Sequence, residues 1–155
     1  VNNLNNIEVI DSKDITLSIH APGIIQTALT SPGADPDFAD ADYFLDFGVL
    51  EPGKEASAEL VVKASTGYSV SVESSNKGYM HLDSQQMEAK VPYAFEFNST
   101  EYDLTQEKQP VQLLTNTSPT GEAGERHGID IIIGDFGIVP AGTYRDVLSF
   151  TISAD

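Results

Sequence analysis

Four aspartates fall within eight residues of this chain: Asp35, Asp37, Asp40 and Asp42, interrupted by Pro36 and Phe38. Carboxylates clustered on a loop are the hard oxygen ligands that calcium takes. The spacing lacks the glycine and terminal glutamate of a helix-flanked calcium loop, so a solvated acidic loop is the plainer reading and calcium the alternative. His20, His81 and His127 are the only histidines, widely separated, and none has a His or Cys partner at zinc-ligand spacing. Asp130 and Asp135 flank "IIIG" and Asp46 precedes Phe47. Paired carboxylates of that kind could serve glycoside hydrolysis, but any acidic β-protein contains such candidates. Serines are plentiful without a G-x-S-x-G elbow. The expectation is therefore a protein that is not an enzyme and needs no cofactor. Asn98 in "NST" and Asn116 in "NTS" fit the N-glycosylation triplet, which matters only if the source glycosylates.

Composition narrows the classes further. Eight Lys and Arg against 24 Asp and Glu give a formal charge of −16 over 155 residues. A phosphate backbone would be repelled, which argues against nucleic-acid binding, and an anionic membrane surface fares no better. With no cysteine, neither disulfides nor thiolate metal sites are available. No apolar run reaches the roughly 18 residues a spanning helix needs, so membrane insertion is not expected. The first residue is Val, which suggests a processed, exported product. The length and the 40% hydrophobic content suit one domain with a real core.

The elements that must position any site follow a period of two. "ITLSIHA", "YFLDFGVL", "ASAELVVKAS", "GYSVSVESS", "GYMHL", "MEAKVPYAFEFN", "VQLLTN", "GIDIIIGDF" and "YRDVLSFTIS" alternate apolar and polar residues between Gly, Pro, Asn and Ser clusters. Nine or ten short strands and no helical stripe predict an all-β sandwich. Two segments, Thr30–Asp42 and Thr115–Gly128, read as loops, and no internal repeat of fixed period stands out. The last strand raises a question of its own. Leu148, Phe150 and Ile152 share a parity, yet almost nothing follows them that could pair with so apolar a strand.

Several stretches, in order, resemble spore-coat-U-like pilins, the archaic branch of chaperone–usher fimbrial subunits. They are "FLDFGVLEPG" (44–53), "STGYSVSVESSNKGYM", "KVPYAFEFN" (90–98) and the closing "PAGTYRDVLSFTIS" (140–153), the most specific of the four. Many relatives carry a cysteine pair that is missing here. The resemblance implies an immunoglobulin-like β-sandwich lacking its final strand, completed by a donor strand from a neighbouring subunit. Residues 1–12 would form the donor extension and 13–155 the pilin domain. Val1, Leu4, Ile7 and Val9 would supply the donor side chains, and Leu148, Phe150 and Ile152 the acceptor groove. Strand addition of this kind combines backbone hydrogen bonds with alternate side-chain pockets. The product would be an extracellular, cell-surface fimbrium serving adhesion or biofilm formation. It would be a homopolymer, assembled with a periplasmic chaperone and an outer-membrane usher. The alternatives are that the N-terminal segment folds back in cis, or that the chain is a monomeric secreted binding module, a tip adhesin or carbohydrate-binding protein.

Overall fold

The computed structural model describes residues 12–20, 25–39, 42–82, 89–116 and 118–154, with the backbone alone for residues 12, 13 and 20. Eleven strands and no helix lie among these residues: β1 (Ser12–His20), β2 (Ile25–Thr30), β3 (Asp42–Asp46), β4 (Glu55–Ala64), β5 (Tyr68–Ser74), β6 (Tyr79–Leu82), β7 (Lys90–Phe97), β8 (Thr100–Tyr102), β9 (Val111–Asn116), β10 (Glu125–Ile133) and β11 (Thr143–Ala154). The all-β expectation holds. Two short strands, β2 and β8, add to those visible in the sequence.

Alternation explains the two layers. Tyr68, Val70 and Val72 of β5, Phe95 and Phe97 of β7, and Ile129, Ile131 and Ile133 of β10 are essentially inaccessible, while the residues between them reach solvent. One layer runs β2–β4–β10–β7–β8 and the other β3–β1–β11–β5–β9, with β6 bridging β7 and β11 along one side. Facing side chains meet in one core, and the Phe95 and Phe150 rings lie 6.1 Å apart at a 44° tilt across it.

The strand order has an immunoglobulin-like logic. In that sandwich one sheet holds strands A, B, E and D, and the other holds C, F and G. Here β2–β4–β10–β7 reproduces A–B–E–D, and β5–β11 reproduces C–F. F is β11, the last of the described strands. The place of G, on the far side of F, is taken by β1 from the opposite end of the chain.

Two boundaries differ from the sequence reading. "YFLDFGVL" does not stay extended: β3 stops at Asp46, whose Oδ1 accepts from the Gly48 amide at 2.8 Å, and Gly48 takes a left-handed φ of 63°. The polar loop before β10 is shorter than Thr115–Gly128, because Glu125 to Gly128 already pair with β4.

Candidate functional site

β11 is twelve residues long and alternates strictly. Tyr144, Asp146, Leu148, Phe150 and Ile152 point into the sandwich, and each is at most 1% exposed. Leu148, Phe150 and Ile152 therefore share the inner face. On one side β11 pairs antiparallel with β5, Phe150 opposite Val72 and Ile152 opposite Val70. On the other side lies β1, with Leu17 opposite Leu148 and Ile19 opposite Phe150. Beyond β1 runs β3, with Leu45 opposite Ile15.

The candidate site is thus a strand-wide slot between β3 and β11, and this chain's own first strand fills it. Ile15 and Leu17 are fully buried there and Ile19 nearly so. On the outer surface Ser18 Oγ donates to Ser149 Oγ at 3.4 Å, and Asp14 pairs with Arg145 at 3.2 Å. Every other strand pairing among the described residues is antiparallel; β1 with β11 is the parallel one. Val1, Leu4, Ile7 and Val9, expected as donor side chains, lie outside the described residues.

What holds the β11 wall in place was not anticipated from sequence. Asp146 is buried and accepts from Ser74 Oγ at 2.6 Å, the Asn76 amide at 3.0 Å, its neighbour Val147's amide at 2.7 Å, and the Tyr93 hydroxyl. Burial raises the Asp146 carboxyl above the usual range, against the pull of those donors. Burial likewise pushes the Tyr93 hydroxyl well up, helped by the neighbouring Asp146 charge. The carboxylate ties β11 to β7 and to the turn after β5. The rest of "PAGTYRD" has matching roles: Tyr144 donates to the Pro140 carbonyl at 2.6 Å, and Gly142 sits at φ 149° against Leu82. A buried aspartate at core parity inside a strand was the signal available for this clamp.

A second polar cluster closes the sandwich at the other end of β11. Tyr68 on β5 donates to Glu125 and sits 2.8 Å from His127 Nε2, both on β10. Asn98 Nδ2 lies 3.0 Å from His127 Nδ1, and the ring stacks on Phe97 at 5.4 Å. Burial lowers the His127 pKa, with Glu125 acting in the opposite direction. The Tyr68 and Asn116 bonds cross between the sheets, an arrangement suited to joining layers. Both glycosylation-triplet asparagines take part, Asn116 through a 2.7 Å bond to Glu125.

Asp35, Asp37 and Asp42 are exposed and Asp40 lies outside the described residues; Asp37 caps its own loop by accepting from the Ala39 amide at 3.0 Å. Among the described residues no three His, Cys, Asp or Glu side chains gather as a metal site. No described helix is long and apolar enough to cross a membrane.

The two ends of the slot differ. At the near end, beside Ser12 and Thr143, the β3–β4 and β10–β11 loops cross between the layers in opposite senses. They share a motif that sequence reading passed over: "DFGVL" at 46–50 and "DFGIV" at 135–139. In each, the Phe packs inward and the fourth residue points out, Val49 at 45% exposure and Ile138 at 91%. Where β2 begins and β4 ends, Gln26, Lys63, Ala64, Ser65, Thr120 and Glu122 line an open, polar depression of about 500 Å³.

No family model matches this chain, and no curated protein matches it. Among solved structures it is similar to the CooA pilin subunit from enterotoxigenic Escherichia coli, at 10% identity and a TM-score of 0.39, over 83% of this chain and 97% of that one. It is also similar to the CsuC–CsuE chaperone–tip adhesion subunit pre-assembly complex from archaic chaperone-usher Csu pili of Acinetobacter baumannii. There the identity is 19% and the TM-score 0.41, over 79% of this chain and 47% of that one, so this chain spans about half the length of its match.

Proposed function

We propose that this protein is the structural subunit of an extracellular pilus-type filament whose subunits are joined by strand exchange. The observation that carries the reading is the slot: the place beside β11, opposite β5, is filled by β1, a strand more than a hundred residues earlier in the sequence and parallel to β11. Such an arm can be exchanged. Its three core residues contribute roughly 1.5–3 kcal/mol each when buried, wherever the slot they fill is located.

Geometry decides what exchange would build. His20 and Ile25 both lie at the far end, five chain steps apart, which span at most about 18 Å. If the arm entered a second copy parallel to its β11, far end would face far end, and the pair would close. If it entered antiparallel, the far end of one subunit would meet the near end of the next, an open head-to-tail series. Alternation lets Ile15, Leu17 and Ile19 face inward in either direction. Antiparallel pairing is also slightly more stable per residue, which favours the exchanged state over the cis state. Residues 1–12 extend the same arm and would lengthen the donor. The motif resemblance over residues 44–153 points the same way, and adds a chaperone that guards the slot and an usher that orders exchange. A filament of this kind serves attachment to surfaces.

The second reading is a monomeric secreted binding module, favoured by the fact that β1 already completes the sandwich in cis. A staple separates the two. Ser18→Cys with Ser149→Cys places two thiols across the parallel ladder in a chain with no other cysteine. Oxidised, the protein should stay monomeric; reduced, it should form high-mass filaments visible by negative-stain microscopy. Filaments that grow equally well from the oxidised protein would overturn strand exchange, and a reduced protein that remains monomeric would favour the binding module.

A further inference from the structure

We propose that Asn98, His127 and Gly128 form an acid-released clasp between the β7–β8 turn and β10, in which Asn98 holds the His127 ring as one neutral tautomer. The turn puts the amide where the clasp needs it. Phe97 pairs with Thr100, so Asn98 and Ser99 are a two-residue hairpin loop, with positive φ of 52° and 66°. Asparagine tolerates that backbone better than most residues, which gives the glycosylation-triplet asparagine a structural reason to be there.

The hydrogen-bond directions fix the ring. The Glu125 carboxylate can only accept, and it takes the Tyr68 hydroxyl proton and an Asn116 Nδ2 hydrogen, the latter at 2.7 Å. The Asn116 amide is oriented by its Oδ1, which accepts from the Ser118 amide at 2.9 Å. With its own proton committed, the Tyr68 oxygen accepts from His127 Nε2, 2.8 Å away. On the other side of the ring, Asn98 Oδ1 accepts from the Gly128 amide at 3.0 Å. Asn98 therefore turns its Nδ2 donor toward His127 Nδ1, also at 3.0 Å. Both neighbours ask for the same ring: a proton on Nε2 and a lone pair on Nδ1.

A second ring proton has only Nδ1 to occupy, and there it meets a donor. If Asn98 stays in place, N–H faces N–H. If its amide turns over, the same conflict passes to the Gly128 amide. One hydrogen bond is lost either way, and the turn loosens from β10. Burial acts in the same direction, since the ring lies buried against Phe97 and its charged form is poorly solvated. Glu125 on β10 and Tyr68 on β5 are the titratable groups facing the ring among the described residues, and the Glu125 charge opposes the effect. Asn98 is exposed, so the nitrogen that takes the proton lies one side chain from solvent. A buried ring behind an exposed amide is an arrangement that registers acid.

The test is a pH titration of the full-length protein, following the His127 ring nitrogens by long-range proton–nitrogen NMR correlation. Near neutral pH the wild-type ring should carry its proton on Nε2, and its titration should fall below the ordinary value of about 6.5. Asn98→Asp sets a carboxylate acceptor opposite Nδ1, so the second proton gains a partner and the titration should move above 6.5. The sign of the stability change then reverses. In wild type His127 costs stability as pH falls; in Asn98→Asp its contribution should be complete below about 6.5 and be lost as pH rises through the folded value. Asn98→Gly suits the positive φ and removes the amide, and should raise the titration less than Asn98→Asp does. An Nδ1-protonated neutral ring in wild type would overturn the clasp. So would wild-type titration in both variants, which would leave burial alone responsible and Asn98 a turn residue only.

Discussion

Ile19 and Phe150 stand opposite each other in the parallel ladder between the first and last strands, both turned into the core. Phe150 is thereby a residue of the subunit's own interior. Phe150→Asp should put an unpaired charge among apolar neighbours at a cost of several kcal/mol. Ser149, its outward neighbour, should accept Asp with little loss. Urea or thermal denaturation should separate the two variants widely; equal stability would mean that the faces of β11 are assigned wrongly.

Leu17→Ala tests the occupant of the slot instead of its wall. Leu17 is fully buried, and truncation of such a side chain costs about 2–5 kcal/mol. The variant should unfold at lower denaturant concentration than wild type. An unaltered midpoint would show that β1 does not contribute to the folded monomer in solution.

Two buried titrating groups pull stability in opposite directions with pH. His127 has a lowered pKa, so the unfolded chain binds the proton more readily. Its contribution is complete above the ordinary histidine value of about 6.5 and is lost as pH falls toward the folded value. Asp146 has a raised pKa, so the folded chain keeps the proton longer. Its contribution is complete below about 3.9 and declines as pH rises toward the folded value. Melting temperatures across pH 3.5 to 8 should lose their acid-side fall through His127 in His127→Gln, and the opposing decline in Asp146→Asn. A parallel displacement of the whole curve in either variant would assign that residue a structural role only.

Gly142→Ala should destabilise by about 1–3 kcal/mol. Its φ of 149° disfavours a side chain, and an added Cβ would lie 2.6 Å from Leu82 Cδ1. A melting temperature equal to wild type would show that Leu82 can move aside at no cost.

Period-two alternation made the layers legible, because parity alone decides which face of a strand is buried, as at Tyr93, Phe95 and Phe97. The parity of Leu148, Phe150 and Ile152 was legible for the same reason. Pairing partners were not. Whether β1 joins β11, and in which direction, depends on residues more than a hundred positions apart, and alternation is identical for a strand and its reversal. β2 escaped notice because "IQTALT" alternates weakly, with Ala28, Leu29 and Thr30 buried in succession. The Asp146 clamp escaped because its donors come from β7, the end of β5 and the turn that follows, and nothing local marks them as neighbours. The twin DFG loops were visible as letters, but only their exposure gave the letters meaning.

The parallel seam carries a consequence for how the molecule is made. Ser18 and Ser149, joined across it, are 131 positions apart. A ribosome releases β1 well before β11, so more than a hundred further residues must be made before Ile15, Leu17 and Ile19 have β11 to pair with. Contacts of such long range close slowly, and the apolar strand waits in the open meanwhile. Under the proposed strand exchange, time therefore enters the design: whichever partner reaches the waiting strand first, the chain's own β11 or that of a sibling, decides whether synthesis ends in a solitary molecule or a thread.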